Sequence, residues 1–135
     1  MTNATQRAGG WIPRILLLLC ALILCLAGIT GAMGPEIISG DAVLAPDGVT
    51  SIRVDFGGFH LGLGLFALCG VLYSSLLKPG LLAMAITMTL VVLTRVIGLS
   101  VDGATDVQFA TLSREAIPFV LSLIGLFVLS RTSAS

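Results

Sequence analysis

Residues 12–33 read IPRILLLLCALILCLAGITGAM, an apolar run long enough to cross the hydrocarbon core of a membrane, which needs roughly 20 such residues. Three more runs of this kind follow at about 54–77, 80–99 and 109–130. Hydrophobic residues make up 56% of the 135-residue chain, and charged residues only 10%. The composition therefore predicts an all-α integral membrane protein, folded as one four-helix bundle domain over residues 1–135.

The charged residues are divided unequally between the two ends of these runs. One end, which we call the acidic end, carries all seven acidic residues: Glu36, Asp41, Asp47, Asp55, Asp102, Asp106 and Glu115. The other end, which we call the basic end, carries only Arg7, Arg14, Lys78 and Arg131. Because basic residues mark the cytoplasmic side, we expect both termini and a turn at Lys78-Pro79-Gly80 to be cytoplasmic. The protein would then be multi-pass in the cytoplasmic (inner) membrane.

The first run also resembles a signal peptide. Arg7 and Arg14 precede its apolar part, and the small residues 30–32 come at its end. However, the run is longer than the apolar region of a signal peptide, and its removal would leave three spans with the termini on opposite sides. We interpret it as a retained span, with cleavage as the alternative.

The first acidic loop, residues 34–52, combines turn residues with apolar ones. Gly34-Pro35 and Pro46-Asp47-Gly48 are typical of turns. Between them, Ile37-Ile38 and residues 42–44 are apolar enough to rest on the membrane surface. We predict a short interfacial loop between the first two spans, either helical or flexible.

Glycines in the second run suggest how it packs. Gly58 and Gly62 are four residues apart and so share one helix face, with Gly57 beside them. Glycines at this spacing let membrane helices approach closely, which matters because no hydrophobic driving force brings helices together in lipid. We expect Gly57, Gly58 and Gly62 to pack against neighbouring helices of the same bundle, with self-association of the protein as the alternative.

Ionisable residues inside a span or at its edge are costly, and they are the natural candidates for function. Those near the acidic end are Arg53, Asp55, His60, Arg95, Asp102, Arg114 and Glu115. Arg53 and His60 are seven residues apart, which predicts one shared helix face, whereas Asp55 should point elsewhere. Arg95 is expected to pair with a carboxylate, with Asp55, Asp102 and Glu115 as the choices.

Two main interpretations of this cluster remain open. In the first, its members are ion pairs that lock the ends of the helices together. In the second, they line a partly hydrated pocket that binds a lipid headgroup or a small polar ligand. A proton relay through His60 and the carboxylates is a third. The predicted ligand or ion-pair cluster consists of Arg53, Asp55, His60, Arg95, Asp102 and Glu115.

Nothing in the sequence indicates catalysis or a cofactor. The chain has one histidine, which excludes haem held between two histidines, and it lacks the H-E-x-x-H and G-x-S-x-G patterns. Cys20, Cys25 and Cys69 all lie within apolar runs and are predicted to be packing residues. The net charge of zero gives no indication of nucleic-acid binding. We predict a protein that is not an enzyme and has no cofactor or metal.

Two sequence motifs lie near the acidic end. The first is Arg53-Val-Asp55-Phe-Gly57-Gly58, and the second is Arg95-Val-Ile-Gly98-Leu-Ser-Val-Asp102-Gly103, which Glu115 follows. Together they resemble DUF4345, a bacterial four-helix membrane family described only as a domain of unknown function. The resemblance implies that an arginine and a Gly-Gly pair open the second span and that an arginine ends the third. It also implies an Asp-Gly turn and an acid that opens the fourth span. The resemblance implies no activity. Among the residues of the two motifs, Asp55 is the one for which the family pattern implies least about its role.

These features favour a small non-catalytic inner-membrane protein that acts as an accessory subunit or assembly partner of a larger membrane complex. Short loops and helix-packing glycines fit that role. The rival hypothesis is a binder or transporter of a lipid or small amphipathic molecule, which would use Arg53, His60, Arg95 and Glu115. The expected partners are therefore the lipid bilayer and a membrane protein, with an amphipathic ligand as the alternative.

Overall fold

Helices make up nearly all of the computed structural model, which describes residues 4–39 and 45–133. Asp41 and the apolar residues 42–44 lie outside this part of the chain. Within it, four helical stretches are long and apolar enough to cross a membrane, and no strand is present. These stretches, here called spans 1 to 4, are Gly10–Met33, Pro46–Leu72, Ser74–Val101 and Asp106–Thr132. The prediction of an all-α membrane protein with four spans is confirmed.

The helices follow one another with short connections. In chain order they are α1 (Ala4–Met33), α2 (Pro35–Ser39), α3 (Pro46–Ser51), a π-helical segment (Ile52–Gly58), α4 (Phe59–Leu72), α5 (Ser74–Val101) and α6 (Asp106–Ser133). Span 2 consists of α3, the π-helical segment and α4 without a break. The region predicted as a loop between spans 1 and 2 thus contains two short helices, α2 and α3.

Spans 2 and 3 are joined at Tyr73, so the prediction of a turn at Lys78-Pro79-Gly80 is wrong. Tyr73 has extended backbone angles, φ −107° and ψ 117°, and α5 begins directly after it. Its N–H still donates to the Cys69 carbonyl at 2.8 Å, which closes the end of α4. Pro79 lies near the beginning of α5, where its missing N–H removes a single hydrogen bond, the one to the Ser75 carbonyl. The helix therefore continues through the proline.

The connection between α5 and α6 is a tight turn followed by a helix cap. Gly103 has a φ of 92°, a left-handed conformation that favours glycine. The Thr105 N–H donates to Gln108 Oε1 at 3.2 Å, and the Gln108 N–H donates to Thr105 Oγ1 at 3.3 Å. This reciprocal pair is a capping box, which satisfies backbone donors at the start of α6.

The core of the bundle forms around α1, which packs against α4, the π-helical segment, α5 and α6. Its buried side chains come from α1, α4 and α5: Leu17, Cys20, Ala21, Leu24, Ala67, Leu77, Leu81, Met84 and Met88. The four residues from α1 follow helical spacing and so form one apolar stripe. Since α5 contributes no buried residue beyond Met88, the close packing of α5 is concentrated toward the basic end.

Span 1 and span 2 approach so closely that only glycine fits at their crossing. A Cβ atom at Gly28 would lie 2.5 Å from the backbone nitrogen of Leu61. One at Gly57 would lie 2.7 Å from the backbone nitrogen of Ala32. Both obstacles are backbone atoms, which cannot move aside as a flexible side chain could. The absence of side chains at these two positions therefore determines how closely the two helices pack.

Gly58 and Gly62 do not take part in this crossing. A Cβ atom at either position would find nothing within 4 Å among the described residues. The prediction that these two glycines pack inside the bundle is therefore wrong. Gly57 and Gly58 are consecutive and therefore point in different directions around the helix, so only one of them can face α1. Gly57 does, and Gly58 is left exposed.

Spans 2 and 3 separate toward the acidic end. The π-helical segment at the beginning of span 2 packs mainly against α1, whereas α5 packs against α4 and α6. The half of α5 beyond Met88, which leads to the acidic end, has no buried residues. A space therefore opens sideways between the two helices.

Candidate functional site

A lateral groove of about 820 Å³ occupies the space between spans 2 and 3. Leu24 of α1 and Met88 of α5 are among its apolar lining residues, and span 2 contributes Gly58 and Gly62. Its volume lies in the range of pockets that bind small ligands, roughly 300–1,000 Å³. We call this feature the lateral groove.

The span 2 wall of the groove is unusually bare. At Gly58 and Gly62 the backbone itself forms the surface, with open space in front of it. Phe59 and Phe66 flank these glycines and are exposed at 73% and 39%. The wall thus alternates between flat backbone and projecting aromatic rings, a shape into which another elongated apolar molecule can fit.

Asp55 is the one carboxylate among the residues that line the lateral groove. Its side chain is exposed, and it forms no hydrogen bond or ion pair with another described residue. The neighbouring Arg53 does not line the groove. The groove therefore combines an apolar body with one uncompensated negative charge.

His60 also borders the lateral groove. Its ring stacks on Phe56, one helical turn away, with the centroids 4.1 Å apart and the planes 21° from parallel. The Nδ1 atom is buried and has no hydrogen-bond partner among the described residues. Buried polar atoms are normally paired, so this nitrogen is an exception among the described residues.

The prediction that Arg53 and His60 share a face, with Asp55 pointing elsewhere, is wrong. Asp55 and His60 line the same groove, and Arg53 lies outside it. The prediction assumed a regular α-helix, whereas residues 52–58 are π-helical. A π-helix has one more residue in each hydrogen-bonded turn, so residues seven apart no longer lie two whole turns apart. No periodicity in the sequence revealed this segment, although π-helical turns are frequent at functional sites.

Arg53 instead closes the end of a neighbouring helix. Its Nη1 donates to the Ala32 carbonyl at 2.9 Å, at the C-terminus of α1. At the basic end Arg14 does the same for α4, where its Nη1 donates to the Val71 carbonyl at 2.9 Å. Such arginines satisfy carbonyls that the helix leaves unpaired and complement the negative end of its dipole. Both contacts are structural.

Arg95 and Glu115 form a forked ion pair between α5 and α6. The Arg95 Nε and Nη2 atoms donate to the two carboxylate oxygens of Glu115 at 3.0 and 2.6 Å. The side chains are 31% and 12% exposed. Of the three carboxylates expected to pair with Arg95, Glu115 is therefore the partner. The pair joins two helices in the half of the bundle where α5 has no buried residues.

The structure brings the residues of the predicted cluster together only in part. Arg95 and Glu115 pair with each other, and Asp55 and His60 border the lateral groove. His60 is also close enough to Glu115 for an electrostatic interaction, so the ion pair adjoins the groove. Arg53 caps α1, and Asp102 is an exposed residue at the end of α5. Of the six residues, the lateral groove is lined by two.

The described residues offer no evident metal site, since no group of three or more His, Cys, Asp or Glu side chains is placed to hold an ion. Cys20, Cys25 and Cys69 are free thiols. The Cys20 thiol is buried and donates to the Pro118 carbonyl at 3.6 Å, a contact that connects α1 with α6. In this position Cys20 acts as a packing residue.

The family motifs named in the sequence have defined places in this bundle. Arg53 caps α1, Gly57 packs against α1 while Gly58 borders the groove, and Gly103 forms the turn between α5 and α6. A family model described as domain of unknown function (DUF4345) matches residues 12–113 of the chain. The chain belongs to this family. The DUF4345 match includes the span 2 wall of the lateral groove and Arg95, and it ends shortly before Glu115. Neither the search of curated proteins nor the search of solved structures returned a match.

Proposed function

We propose that this DUF4345 protein is a non-catalytic accessory subunit or assembly partner of a larger membrane complex. In this proposal a transmembrane helix of the partner lies in the lateral groove. The observation that supports it is the bare backbone at Gly58 and Gly62, which has nothing within 4 Å. The same spacing of glycines allows close helix contacts in other membrane proteins.

A helix has more to gain from this groove than a lipid tail has. An acyl chain that moves from the bilayer into the groove exchanges one apolar environment for another, so the hydrophobic effect contributes little. A helix that meets the glycines can bring its backbone close over several turns and gain dispersion contacts that lipid does not provide. The groove wall from Asp55 to Phe66 extends for about three turns, or roughly 16 Å. That length is about half of the hydrocarbon core.

Site-specific photo-crosslinking in native membranes tests this proposal. A photoreactive amino acid in place of Phe59, which is 73% exposed beside the groove, should give one defined protein adduct. The same amino acid in place of Leu123, which is 43% exposed on α6, is the matched control and should give lipid adducts only. Adding Gly62→Leu should abolish the Phe59 adduct by filling the groove, and the space in front of Gly62 should let the variant fold.

The two alternatives to this result lead to different conclusions. Identical protein adducts from positions 59 and 123 would mean random collision in the membrane and would contradict a docking groove. Adducts at position 59 that contain a small amphipathic molecule and no protein would favour the rival function.

That rival, a binder or transporter of a lipid or small amphipathic molecule, has its own support. The groove volume of about 820 Å³ suits such a ligand. Asp55 and His60, which both line the groove, could contact its polar head. Arg53 and Arg95, which the sequence suggested for this role, are engaged in structural contacts. We therefore place this function second.

We also propose that the protein is a multi-pass protein of a bacterial inner membrane, with both termini cytoplasmic and α2 and α3 at the outer interface. The division of charge supports this orientation, because Arg14, Lys78 and Arg131 lie at the end opposite the acidic loops.

Cysteine labelling with a membrane-impermeant maleimide tests the orientation. Asp47→Cys at the acidic end should be labelled in intact cells, and Lys78→Cys at the basic end only after lysis. Both positions are exposed. The unchanged chain is the control, since Cys20, Cys25 and Cys69 lie within spans. The reverse pattern would invert the proposed topology without affecting the fold.

A further inference from the structure

We infer that the helix docking in the lateral groove carries a lysine or arginine near its acidic end, where it forms an ion pair with Asp55. The inference rests on the proposed function and specifies the chemistry of the partner. Asp55 is a charge in the groove that no described residue compensates.

The cations close to the groove are already engaged or lie outside it. Arg53, two residues from Asp55, donates to the Ala32 carbonyl and does not line the groove. Arg95 forms its forked pair with Glu115. Asp55 itself has no hydrogen-bond or ion-pair partner among the described residues. Arg114, the third arginine of the acidic end, does not line the groove either, so no described residue supplies Asp55 with a positive charge.

A partner helix that docks in the groove must bring a positive charge to Asp55. While the groove is open, the exposed carboxylate of Asp55 is solvated. A helix that covers it with apolar side chains would remove water from an ion, which is costly unless an opposite charge or hydrogen-bond donors replace the water. The same exclusion of water strengthens the attraction of a cation that does arrive. Asp55 therefore selects for partners with a basic side chain and against those without one.

The charge of the acidic end favours the same kind of partner. By sequence it holds seven acidic residues against three arginines, Arg53, Arg95 and Arg114. An excess of negative charge at this end attracts cationic groups before contact is made.

The positions of Asp55 and Gly62 also predict a spacing in the partner. They are seven residues apart on the groove wall, which corresponds to roughly 10 Å along a helix. A partner helix that packs a small residue on Gly62 should carry its lysine or arginine about seven residues nearer to the acidic end.

A library of randomised single-span helices, selected for association with the full chain in a bacterial two-hybrid assay, tests this inference. The expected result is about fivefold enrichment of lysine and arginine at the position predicted to face Asp55. Asp55→Lys should convert the preference to aspartate and glutamate. Asp102→Lys is the matched control, because Asp102 is an exposed acid at the same end that does not line the groove. It should leave the preference for basic residues unchanged.

The other outcomes separate this inference from the proposed function. Enriched helices that carry small residues but no charge preference would overturn the pairing with Asp55 and leave the accessory role standing. If no helix is enriched, both proposals fail. In that case Asp55-dependent binding of hexadecylamine, measured by native mass spectrometry, would assign the groove to a cationic amphiphile.

Discussion

Replacing Gly28 with alanine is expected to lower the free energy of unfolding by about 3 kcal/mol, the upper part of the range for overpacked cores. A Cβ atom at this position would lie 2.5 and 2.8 Å from the nitrogen and Cα of Leu61 and 2.9 Å from the carbonyl oxygen of Gly57. All three are backbone atoms, so the added methyl can be accommodated only if α1 and span 2 move apart. That movement would loosen the contact around which the bundle is built.

Gly62→Ala is the matched control for Gly28→Ala. It adds the same methyl group to a membrane helix, but at a position with nothing within 4 Å. We expect its stability to equal or slightly exceed that of the unchanged protein, because alanine favours helix more than glycine does. Thermal unfolding in mild detergent, followed by circular dichroism, measures both variants. Equal destabilisation by the two substitutions would show that Gly28 does not hold a close backbone contact.

Replacing Arg95 with methionine is expected to cost about 3 kcal/mol of stability, at the lower limit for breaking a buried ion pair because Arg95 is partly exposed. The substitution leaves Glu115, which is 12% exposed, without its forked partner. A carboxylate left in this environment must either remain desolvated and charged or bind a proton. Replacing both Arg95 and Glu115 with methionine should recover most of the loss, since the unpaired charge is then gone.

The same unfolding measurement on the single and double variants gives the coupling between the two residues. Arg114→Met is the control, because Arg114 is the exposed neighbour of Glu115 and makes no ion pair with another described residue. Arg114→Met should change the free energy of unfolding by no more than about 0.5 kcal/mol. If Arg95→Met melted like the unchanged protein but lost a bound lipid or other ligand, a binding role for the pair would replace the structural one.

The apolar runs predicted the helices well but not the places where they end. A span needs only sufficient apolar length, and that property can be read from composition. Where a helix begins depends on single residues such as Tyr73, whose extended backbone starts α5 before Pro79. The capping box of Thr105 and Gln108 was readable as a short sequence pattern.

The candidate site was harder to predict than the fold. Ionisable residues near the acidic end are visible in the sequence, but sequence position alone does not determine which of them pair. Arg95 had three possible carboxylates, and the packing of α5 against α6 selected Glu115. The π-helical segment changed which residues of span 2 share a face, and so placed Asp55 with His60 in the groove.

The sequence by itself determined that this chain has four spans and that its charges are separated between two ends. Both follow from the cost of transferring polar groups into hydrocarbon, which acts on each segment independently of the others. Only the tertiary structure decided that Gly57 packs against α1 while Gly58 and Gly62 remain open. It alone also decided that Asp55 has no hydrogen-bond or ion-pair partner among the described residues. These facts depend on how the helices rotate and separate, which results from the packing of the whole bundle.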